Sequence, residues 1–323
     1  MAPVTYLEAI RLALQEEMDR DPSVFLMGED IGAYGGAFKV TEGLLEKYGS
    51  ERIIDTPIAE AGIVGAAIGA ALSGMRPVVE MQFADFVSNT YNMLVNFAAK
   101  LHYRTGEVVP MVVRAPTGGG VHAGPFHSQN PEIPFVHCPG LKVVAPSTPG
   151  DARGLLKAAI RDNNPVIYLE HKLLYRRVKE ELLPGDGFVP IGLARRVREG
   201  GHLSIVSYGA MVARAQAVAE RLAEEGYQTE IIDLRSLLPL DMETIATSVR
   251  KSGRVMVLHE DTLTAGLGGE ISASIGQHLF EFLDAPVMRV ASLDTPVPYG
   301  VLEDVFLPSE ERILQTARSL LAY

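Results

Sequence analysis

The stretch DTPIAEAGIVGAAIGAALSG, residues 55–74, places one acid, Glu60, in front of the uncharged run 61–75. This run predicts a buried helix rather than a membrane span, because a bilayer span needs about 20 apolar residues. Thr56 is the expected N-cap and Pro57 the expected first helical residue, a position that accepts proline readily. The sequence therefore predicts a helix that begins at Pro57 and carries Glu60 near its start.

Glu60 has two interpretations at this point. An acid near the start of a helix interacts favourably with the helix dipole, which contributes about 0.3 to 1 kcal/mol. The helix that follows is built from small residues and admits close packing on all sides, which would withdraw the acid partly from water. Desolvation favours the protonated form of a carboxyl group and lets it share a proton with a ligand nitrogen. A helix-stabilising role and a ligand-binding role both remain open.

Around this helix, short apolar runs alternate with helical patterns. Several runs carry valine and isoleucine continuously, which is typical of strands buried on both faces of a parallel sheet. The expected strands are 24–27, 77–81, 111–115, 141–145 and 166–169, and further helices are expected over 88–104 and 151–161. This order predicts a parallel sheet flanked by helices.

Proline and glycine collect in EELLPGDGFVPIG, residues 180–192, which marks a linker between two domains. Strands and helices alternate again beyond it. The expected strands are 203–207, 229–234, 255–259 and 287–291, and the expected helices are 210–225, 242–251 and 270–282. The predicted fold class is therefore α/β, with two parallel-sheet sandwich domains, 1–187 and 188–323.

Composition excludes several partners. Hydrophobic residues make up 47% of the 323 residues, and 40 acidic against 29 basic side chains give a formal net charge of −11. No stripe of lysine or arginine offers a surface for nucleic acid or a membrane. Cys138 is the only cysteine, which excludes an internal disulfide and a thiolate metal cage and fits a reducing cytoplasm. Thr5 and Glu8 form a capping box, so the N-terminus is interpreted as a helix rather than a targeting peptide.

Signatures of several enzyme classes are missing. No P-loop, HExxH or GxSxG pattern occurs, which argues against P-loop hydrolases, zincins and serine hydrolases. GGGVHAG at 118–124 looks like a dinucleotide loop, but Pro125 follows where a helix is required. His127 lies in a loop after a strand, where α/β folds place catalytic groups. The residues HED at 259–261 are interpreted as loop residues of the second sheet.

Several segments, taken in chain order, resemble the beta subunit of the thiamin-diphosphate-dependent 2-oxo acid dehydrogenases. They are GEDIG at 28–32, DTPIAEAGIVGAAIG at 55–69, EMQFADF at 80–86, HSQNPE at 127–132, HCPGLKVVAPSTP at 137–149, DNNPVIYLEHKLLYR at 162–176, LRSLLPLD at 234–241 and HEDTLTAGLGGEI at 259–271. FHSQNPE and QFADF are most similar to the branched-chain member. The resemblance covers nearly the whole chain and implies a transketolase-like pyrimidine-binding domain followed by a transketolase C-terminal-like domain.

The resemblance also implies roles for single residues. In this family the acid matching Glu60 hydrogen-bonds a ring nitrogen of the aminopyrimidine of thiamin diphosphate and so activates the cofactor. Phe86 matches an aromatic residue beside the aminopyrimidine, although ordinary packing explains it equally well. His127 matches a histidine that faces the reacting carbon and takes part in acyl transfer to lipoamide. Asp162 and Asn164 fall where relatives hold a structural potassium ion.

The diphosphate half of the cofactor site is not found in this sequence. The family pattern for Mg²⁺ and the diphosphate is a GDG motif followed by an asparagine, whose oxygens suit that cation. The GDG at 185–187 lies in the predicted linker, and no asparagine follows Asn164. By the resemblance, an alpha subunit carries these groups, and the cofactor bridges the two chains of an α₂β₂ heterotetramer.

The resemblance implies the beta subunit of a branched-chain 2-oxo acid dehydrogenase, which decarboxylates a small 2-oxo acid and acylates lipoamide. Its C-terminal domain is expected to support the contact between beta subunits and to bind the lipoyl acyltransferase core. The pyruvate or acetoin enzyme is the alternative within the family. An NAD(P)-binding oxidoreductase that uses residues 118–124 and a non-enzymatic assembly module are the alternatives outside it.

Overall fold

The computed structural model describes residues 3–323, which divide into two compact units. The first unit contains the chain up to residue 117 together with 134–191 and 237–239, and the second contains 118–133, 192–236 and 240–323. The segment 118–133, which lies between two parts of the first unit along the chain, thus belongs to the second unit. The segment 237–239, which lies between two parts of the second unit, belongs to the first.

Helices and strands alternate along most of the described chain. The helices are α1 (Tyr6–Arg20), α2 (Leu44–Tyr48), α3 (Glu60–Leu72), α4 (Ala99–Thr105), α5 (Ile133–Val136), α6 (Pro149–Arg161), α7 (Leu174–Arg177), α8 (Met211–Glu224), α9 (Met242–Ser252), α10 (Leu267–Leu279), α11 (Leu302–Phe306) and α12 (Glu310–Leu321). The strands are β1 (Val4–Thr5), β2 (Val24–Gly28), β3 (Ile53–Asp55), β4 (Arg76–Glu80), β5 (Val112–Thr117), β6 (Lys142–Val144), β7 (Val166–His171), β8 (Lys179–Glu180), β9 (Arg195–Arg198), β10 (Leu203–Ser207), β11 (Thr229–Asp233), β12 (Ser236–Leu238), β13 (Val255–Thr262) and β14 (Met288–Ser292). None of the helices within residues 3–323 has the length and hydropathy needed to cross a bilayer.

The first unit is built on a sheet with the strand order β12-β6-β7-β5-β4-β2-β3. The pairings from β6 to β3 are parallel. Strands β2, β5 and β7 are buried along their whole length, as expected for strands covered on both faces. The five strands predicted for this part of the chain are confirmed to within two residues at each end. The three-residue strand β3 was not predicted, because so short a run carries little pattern.

The second unit contains a sheet with the order β14-β13-β10-β11-β9. Its pairs are parallel except for the edge strand β9, which is antiparallel to β11. The predicted fold class of two α/β parallel-sheet domains is thus confirmed. The loop interpretation of residues 259–261 is wrong, because β13 extends through them and His259 is fully buried. Their polarity indicated a loop, whereas His259 and Glu260 are buried near the end of β13 and Asp261 is only partly exposed.

Helix α3 begins at Glu60 rather than at Pro57. Its N-cap is Ala59, which makes no side-chain capping bond. The backbone N–H of Thr56 instead donates to the carbonyl oxygen of Gly28, 3.0 Å away, so Thr56 continues the pairing of β3 with β2. The predicted N-cap at Thr56 and the predicted helix start at Pro57 are therefore wrong, and Glu60 occupies the first helical position.

Helix α3 is also not enclosed on all sides within this chain. Its buried stripe consists of Ile63, Val64, Ala67, Ile68 and Ala71. Its exposed face carries small residues, namely Ala61, Gly62, Ala66 and Gly69. Within this chain the close packing is confined to one stripe, because the larger apolar side chains fall there. The predicted helix over 88–104 is present as a continuous helical run that passes through 3₁₀ turns (Ala84–Thr90) and π-helical turns (Met93–Ala98) into α4.

The GDG sequence at 185–187 is bonded to α6 in the first unit. The Asp186 carboxylate accepts hydrogen bonds from Arg161 and from Lys157, and Arg153 donates to the Gly185 carbonyl oxygen at 3.0 Å. The hydrogen bonds from Arg161 and Lys157 hold the pKa of Asp186 well below its usual range. In this chain the GDG motif therefore has a structural role.

Three buried charged side chains bridge adjacent strands of the first sheet. Arg114 on β5 forms a bidentate pair with Glu170 on β7, with 2.9 Å between Nη2 and Oε2, and also donates to Glu80 on β4. Tyr175 donates to Glu170 at 2.7 Å. Burial alone would lower the pKa of the Arg114 guanidinium, but Glu170 and Glu80 raise it above its usual value. The Arg114 guanidinium therefore keeps its charge at neutral pH, while burial raises the pKa of Glu80.

Candidate active site

Three neighbouring strands of the first unit, β4, β2 and β3, end at one edge of the sheet. This edge is where α/β folds bind ligands, because parallel strands bring their carboxyl ends together. Glu29 follows β2 directly, Glu60 begins the helix after β3, and Phe86 lies in the 3₁₀ segment after β4. Helix α3 packs against that segment. The structure thus brings two of the predicted site residues, Glu60 and Phe86, into one region of one unit.

Glu60 is partly exposed at the first position of α3, where the helix dipole favours a negative charge. A second acid, Glu29, is only 6% exposed, and its Oε1 has no hydrogen-bond partner among residues 3–323. Burial raises the pKa of Glu29, and the charges of Glu60 and Asp30 raise it further. Sequence reasoning did not single out Glu29; its signal was an acid placed immediately after a buried strand.

Phe86 belongs to a small cluster of aromatic rings. Its ring meets Phe83 edge to face, with 6.0 Å between centroids, and Phe83 meets Phe38 in the same way at 5.4 Å. Phe86 remains partly exposed. This sheet edge offers the Glu60 carboxyl group, the Phe86 ring and the Glu29 Oε1 atom, which has no hydrogen-bond partner among residues 3–323. These groups fit a planar ligand that carries N–H donors and a ring nitrogen. The aminopyrimidine of thiamin diphosphate is such a ligand.

His127 lies in the segment 118–133, which belongs to the second unit. It is partly exposed, and its backbone N–H donates to the Gly124 carbonyl oxygen at 3.2 Å. Gly124 has a φ of +76°, and a Cβ atom there would collide with the ring of Tyr299. Only glycine therefore allows this turn, which fixes the backbone three residues before His127.

Two buried carboxylates of the second unit hold the same segment. Glu260 on β13 accepts hydrogen bonds from the Gly119 N–H at 2.6 Å and from the Asn130 side chain at 2.9 Å. Glu303 accepts from the backbone N–H groups of Gly120 at 3.0 Å and His122 at 2.7 Å. Charge-assisted bonds of this kind are stronger than neutral ones. His127 is thus carried on a loop that these two buried acids hold in place.

A buried acidic cluster lies behind this loop, in the second unit. Tyr208 donates to Glu132, and burial together with the nearby charge of Asp261 raises the pKa of Glu132 well above its usual value. Burial also raises the pKa of Asp261 to about 6. The ring of His259 stacks on Tyr208 with 6.5 Å between centroids, and burial followed by the charge of Arg289 lowers the pKa of His259 to about 4.

His259 makes the stability of the protein depend on pH. Its pKa is lower in the folded state than in the unfolded state, so the unfolded chain takes up a proton first as pH falls. We expect the free energy of unfolding to drop by up to about 3 kcal/mol, relative to a His259→Asn variant, as pH falls from 6.5 to 4. Urea unfolding of both proteins across this range measures the difference; a difference that does not change with pH would contradict the assignment.

Asp162 and Asn164 lie at the end of α6 in the first unit. The Asp162 carboxylate pairs with Lys142 and accepts from the Asn164 backbone N–H and side-chain amide, both at 2.8 Å. Arg76 donates to the carbonyl oxygens of Ile160 and Asp162. Two side-chain cations thus already bind oxygens of this turn. Among residues 3–323, no group of three or more His, Cys, Asp and Glu side chains is arranged to hold a metal ion.

The fold defines the class of protein. Residues 2–178 match the family model of the transketolase pyrimidine binding domain, and residues 192–313 match that of the transketolase C-terminal domain. A solved structure described as a split gene transketolase, inactive beta4 tetramer, is similar with a TM-score of 0.81 and 23% sequence identity, over 99% of this chain and 98% of that chain. This similarity shows a two-domain transketolase fold.

Sequence comparison then gives the family. The chain is 46% identical to the 2-oxoisovalerate dehydrogenase subunit beta of Bacillus subtilis, over 99% of each chain. It is 43% identical to the pyruvate dehydrogenase E1 component subunit beta of Staphylococcus aureus, over 100% of each chain. The chain belongs to the family of 2-oxo acid dehydrogenase beta subunits, and the family resemblance is confirmed.

Proposed function

We propose that this chain is the beta subunit of a branched-chain 2-oxo acid dehydrogenase of the bacterial cytoplasm. The reaction removes CO₂ from a small 2-oxo acid and transfers the acyl group to lipoamide on the acyltransferase core of the complex. The observation that carries this proposal is the 46% identity, over 99% of both chains, to a 2-oxoisovalerate dehydrogenase beta subunit. The active enzyme in this proposal is an α₂β₂ heterotetramer, in which this chain assembles with an alpha subunit.

Thiamin diphosphate, when bound, supplies a ring that accepts the electrons left behind by departing CO₂. Glu60 would hold the aminopyrimidine half of the cofactor, exchanging a proton with a ring nitrogen, and Phe86 would pack beside that ring. The alpha subunit is assigned Mg²⁺ and the diphosphate, because no asparagine follows Asn164 and the GDG motif is bonded to α6. His127 would move a proton during acyl transfer, a task suited to an imidazole near neutral pH.

A structural potassium ion near Asp162 and Asn164 stays a prediction of the family resemblance. Carboxylate and carbonyl oxygens suit such a cation, but Lys142 and Arg76 already bind several of them. The thermal midpoint of the chain, measured in matched KCl and NaCl, tests this prediction; equal midpoints would remove the ion from the proposal.

The proposed function is tested by titrating thiamin diphosphate with Mg²⁺ into the chain alone and into the chain assembled with its alpha subunit. Calorimetry should detect tight binding only for the assembly, because each chain provides half of the site. Tight binding by the lone chain, or none by the assembly, would contradict a shared site. Tight binding of NAD(P) by the lone chain would favour an oxidoreductase instead.

The pyruvate enzyme is the second candidate, because the chain is 43% identical to pyruvate dehydrogenase beta subunits over its full length. Comparing kcat/KM of the assembly for 2-oxoisovalerate and pyruvate separates the two candidates. Each methylene that a pocket recognises is worth about 1 to 3 kcal/mol, so we expect a preference of at least about tenfold for the branched acid. A preference for pyruvate would replace the first candidate by the second.

Replacing His127 by alanine should separate the two half-reactions. The variant should bind cofactor and decarboxylate with an artificial electron acceptor nearly as well as the wild type. It should lose about 10²- to 10⁴-fold in reductive acylation of lipoamide, the range that a general acid or base contributes. His122→Ala, on the same loop and exposed, is the matched control. Equal loss in both half-reactions would show that His127 only supports the loop.

A further inference from the structure

The glycine-rich residues 118–124 have no role in the proposed function. Successive backbone N–H groups in such a turn form a concave site for an anion, and dinucleotide-binding proteins present a similar loop to a pyrophosphate. Here the N–H groups of Gly120 and His122 donate to the Glu303 carboxylate, at 3.0 Å and 2.7 Å. The anion that this turn binds is therefore a side chain of the same unit, and a pyrophosphate could bind there only by displacing it.

Glu303 is fully buried, although Leu302 and Asp304 on either side of it in α11 are exposed. Its Oε2 accepts both hydrogen bonds from the turn, while its Oε1 has no hydrogen-bond partner among residues 3–323. A Cβ atom on Gly119 would lie only 3.1 Å from this Oε1, so the turn approaches the carboxylate closely. Burying a carboxylate is costly unless hydrogen bonds compensate it. The bonds to the turn supply that compensation, which ties Glu303 to the segment 118–133.

A second buried acid holds this segment on both sides of His127. Glu260 accepts from the Gly119 N–H at 2.6 Å and from the Asn130 side chain at 2.9 Å. Between these points His122 has a φ of +58°, a conformation that is costly for a residue with a side chain and that persists only where the surroundings fix it. The backbone is thus held before and after His127, whose own side chain stays partly exposed.

We propose that Glu303 and Glu260 are positioning residues for His127: they bind the backbone of the segment 118–133 and so hold the His127 ring where the acyl group is transferred. A general acid or base acts only within hydrogen-bond reach of its target atom, and a small displacement costs much of the rate. Neither carboxylate exchanges a proton in this role. The functional meaning rests on the proposed function, which gives His127 its task, whereas the binding of the segment is a property of this chain alone.

Hydrogen exchange of the full chain, without cofactor or alpha subunit, tests the binding of the segment. Glu303→Gln removes the charge and keeps the size of the side chain. Peptides from 118–124 should exchange about 10- to 100-fold faster, the factor that hydrogen bonds to a charged group contribute. Peptides from α1, in the other unit, should exchange as in the wild type. Unchanged exchange of 118–124, or equally faster exchange of α1, would overturn the inference.

Asp304→Asn is the matched control, because it removes a charge from the next position of α11. Asp304 is exposed and lies 3.2 Å from the His122 ring rather than on the backbone of the turn. Exchange of 118–124 should change by less than about threefold, since exposed pairs are worth little. Gly119→Ala is a second variant that keeps Glu303 but crowds its Oε1, and it should speed exchange of the same peptides. A control effect as large as that of Glu303→Gln would show a general charge effect and refute the specific role of Glu303.

The assembled enzyme tests the link to His127. Glu303→Gln should lower reductive acylation of lipoamide about 10- to 100-fold, the cost of a slightly misplaced catalytic group. Decarboxylation with an artificial electron acceptor should stay near the wild-type rate. Glu303→Asp keeps the charge and should retain more acylation than Glu303→Gln. Equal losses in both half-reactions would contradict a role that acts through His127.

The same substitution in the His127→Ala background separates positioning from general support of the fold. Glu303→Gln should then cause no further loss of acylation, because residues that act through one another are not additive. A further loss as large as in the wild-type background would overturn the inference. A wild-type assembly that catalyses neither half-reaction would refute the proposed function, while hydrogen exchange would still decide whether Glu303 holds the segment.

Discussion

Glu60→Gln should lower cofactor-dependent decarboxylation by the assembled enzyme about 10²- to 10⁴-fold, the range contributed by a positioned proton-transfer group. Glutamine keeps the size of the side chain but cannot exchange a proton with the aminopyrimidine. Folding should be preserved, because the charge at the first position of α3 contributes only about 0.3 to 1 kcal/mol through the helix dipole. Decarboxylation measured with an artificial electron acceptor checks the expected loss of activity. The unfolding midpoint of the same variant checks that folding is preserved.

The matched control for this prediction is Glu107→Gln, an exposed acid of the same unit in the loop before β5. It should keep wild-type activity in the same assay. If Glu60→Gln also kept full activity, Glu60 would be only a helix-stabilising acid. A non-enzymatic assembly module would then become the better interpretation of the chain.

Arg114→Met should destabilise the first unit by about 3 to 5 kcal/mol, the cost of removing one member of a buried ion network. The substitution leaves Glu80 and Glu170 buried on the two strands that flank β5, without their cation. Arg114→Lys should destabilise less, because a lysine keeps the charge but cannot form the bidentate bond to Glu170. Urea unfolding of the full chain, monitored by circular dichroism, measures both variants.

A neutral triple variant separates the charge effect from the packing effect. Adding Glu80→Gln and Glu170→Gln to Arg114→Met removes the uncompensated charges and should recover most of the lost stability. Recovery would show that the unpaired carboxylates cause the loss. An equally unstable triple variant would assign the loss to packing around the long Arg114 side chain instead.

Much of the fold was readable from local pattern. Continuous valine and isoleucine runs predicted the buried strands, and the strand 203–207 was predicted with the bounds that the structure gives it. The capping box of Thr5 and Glu8 is present, with 3.2 Å between the Glu8 N–H nitrogen and the Thr5 Oγ1. These features depend on neighbours along the chain, and therefore appear in the sequence itself.

Site residues were readable only as candidates. Phe86 follows β4, which the sequence predicted, whereas Glu60 follows β3, which it did not, and the parallel sheet places both residues at one edge. The start of α3 was misjudged, because the pairing of Thr56 with Gly28 depends on a strand distant in sequence. Glu29 was missed because its burial and its bond to the Ala59 N–H arise only when β2 and β3 lie side by side.

The sequence by itself determined the α/β class, the two parallel sheets and the family, since all three depend on periodicity and on ordered motifs along the chain. Tertiary structure alone decided which groups share an environment. It assigned the segment 118–133 to the second unit, joined Arg114 to two acids from other strands, and brought Glu29 to the start of α3. These contacts join residues far apart in the chain, and their energies depend on burial, which a sequence pattern does not record.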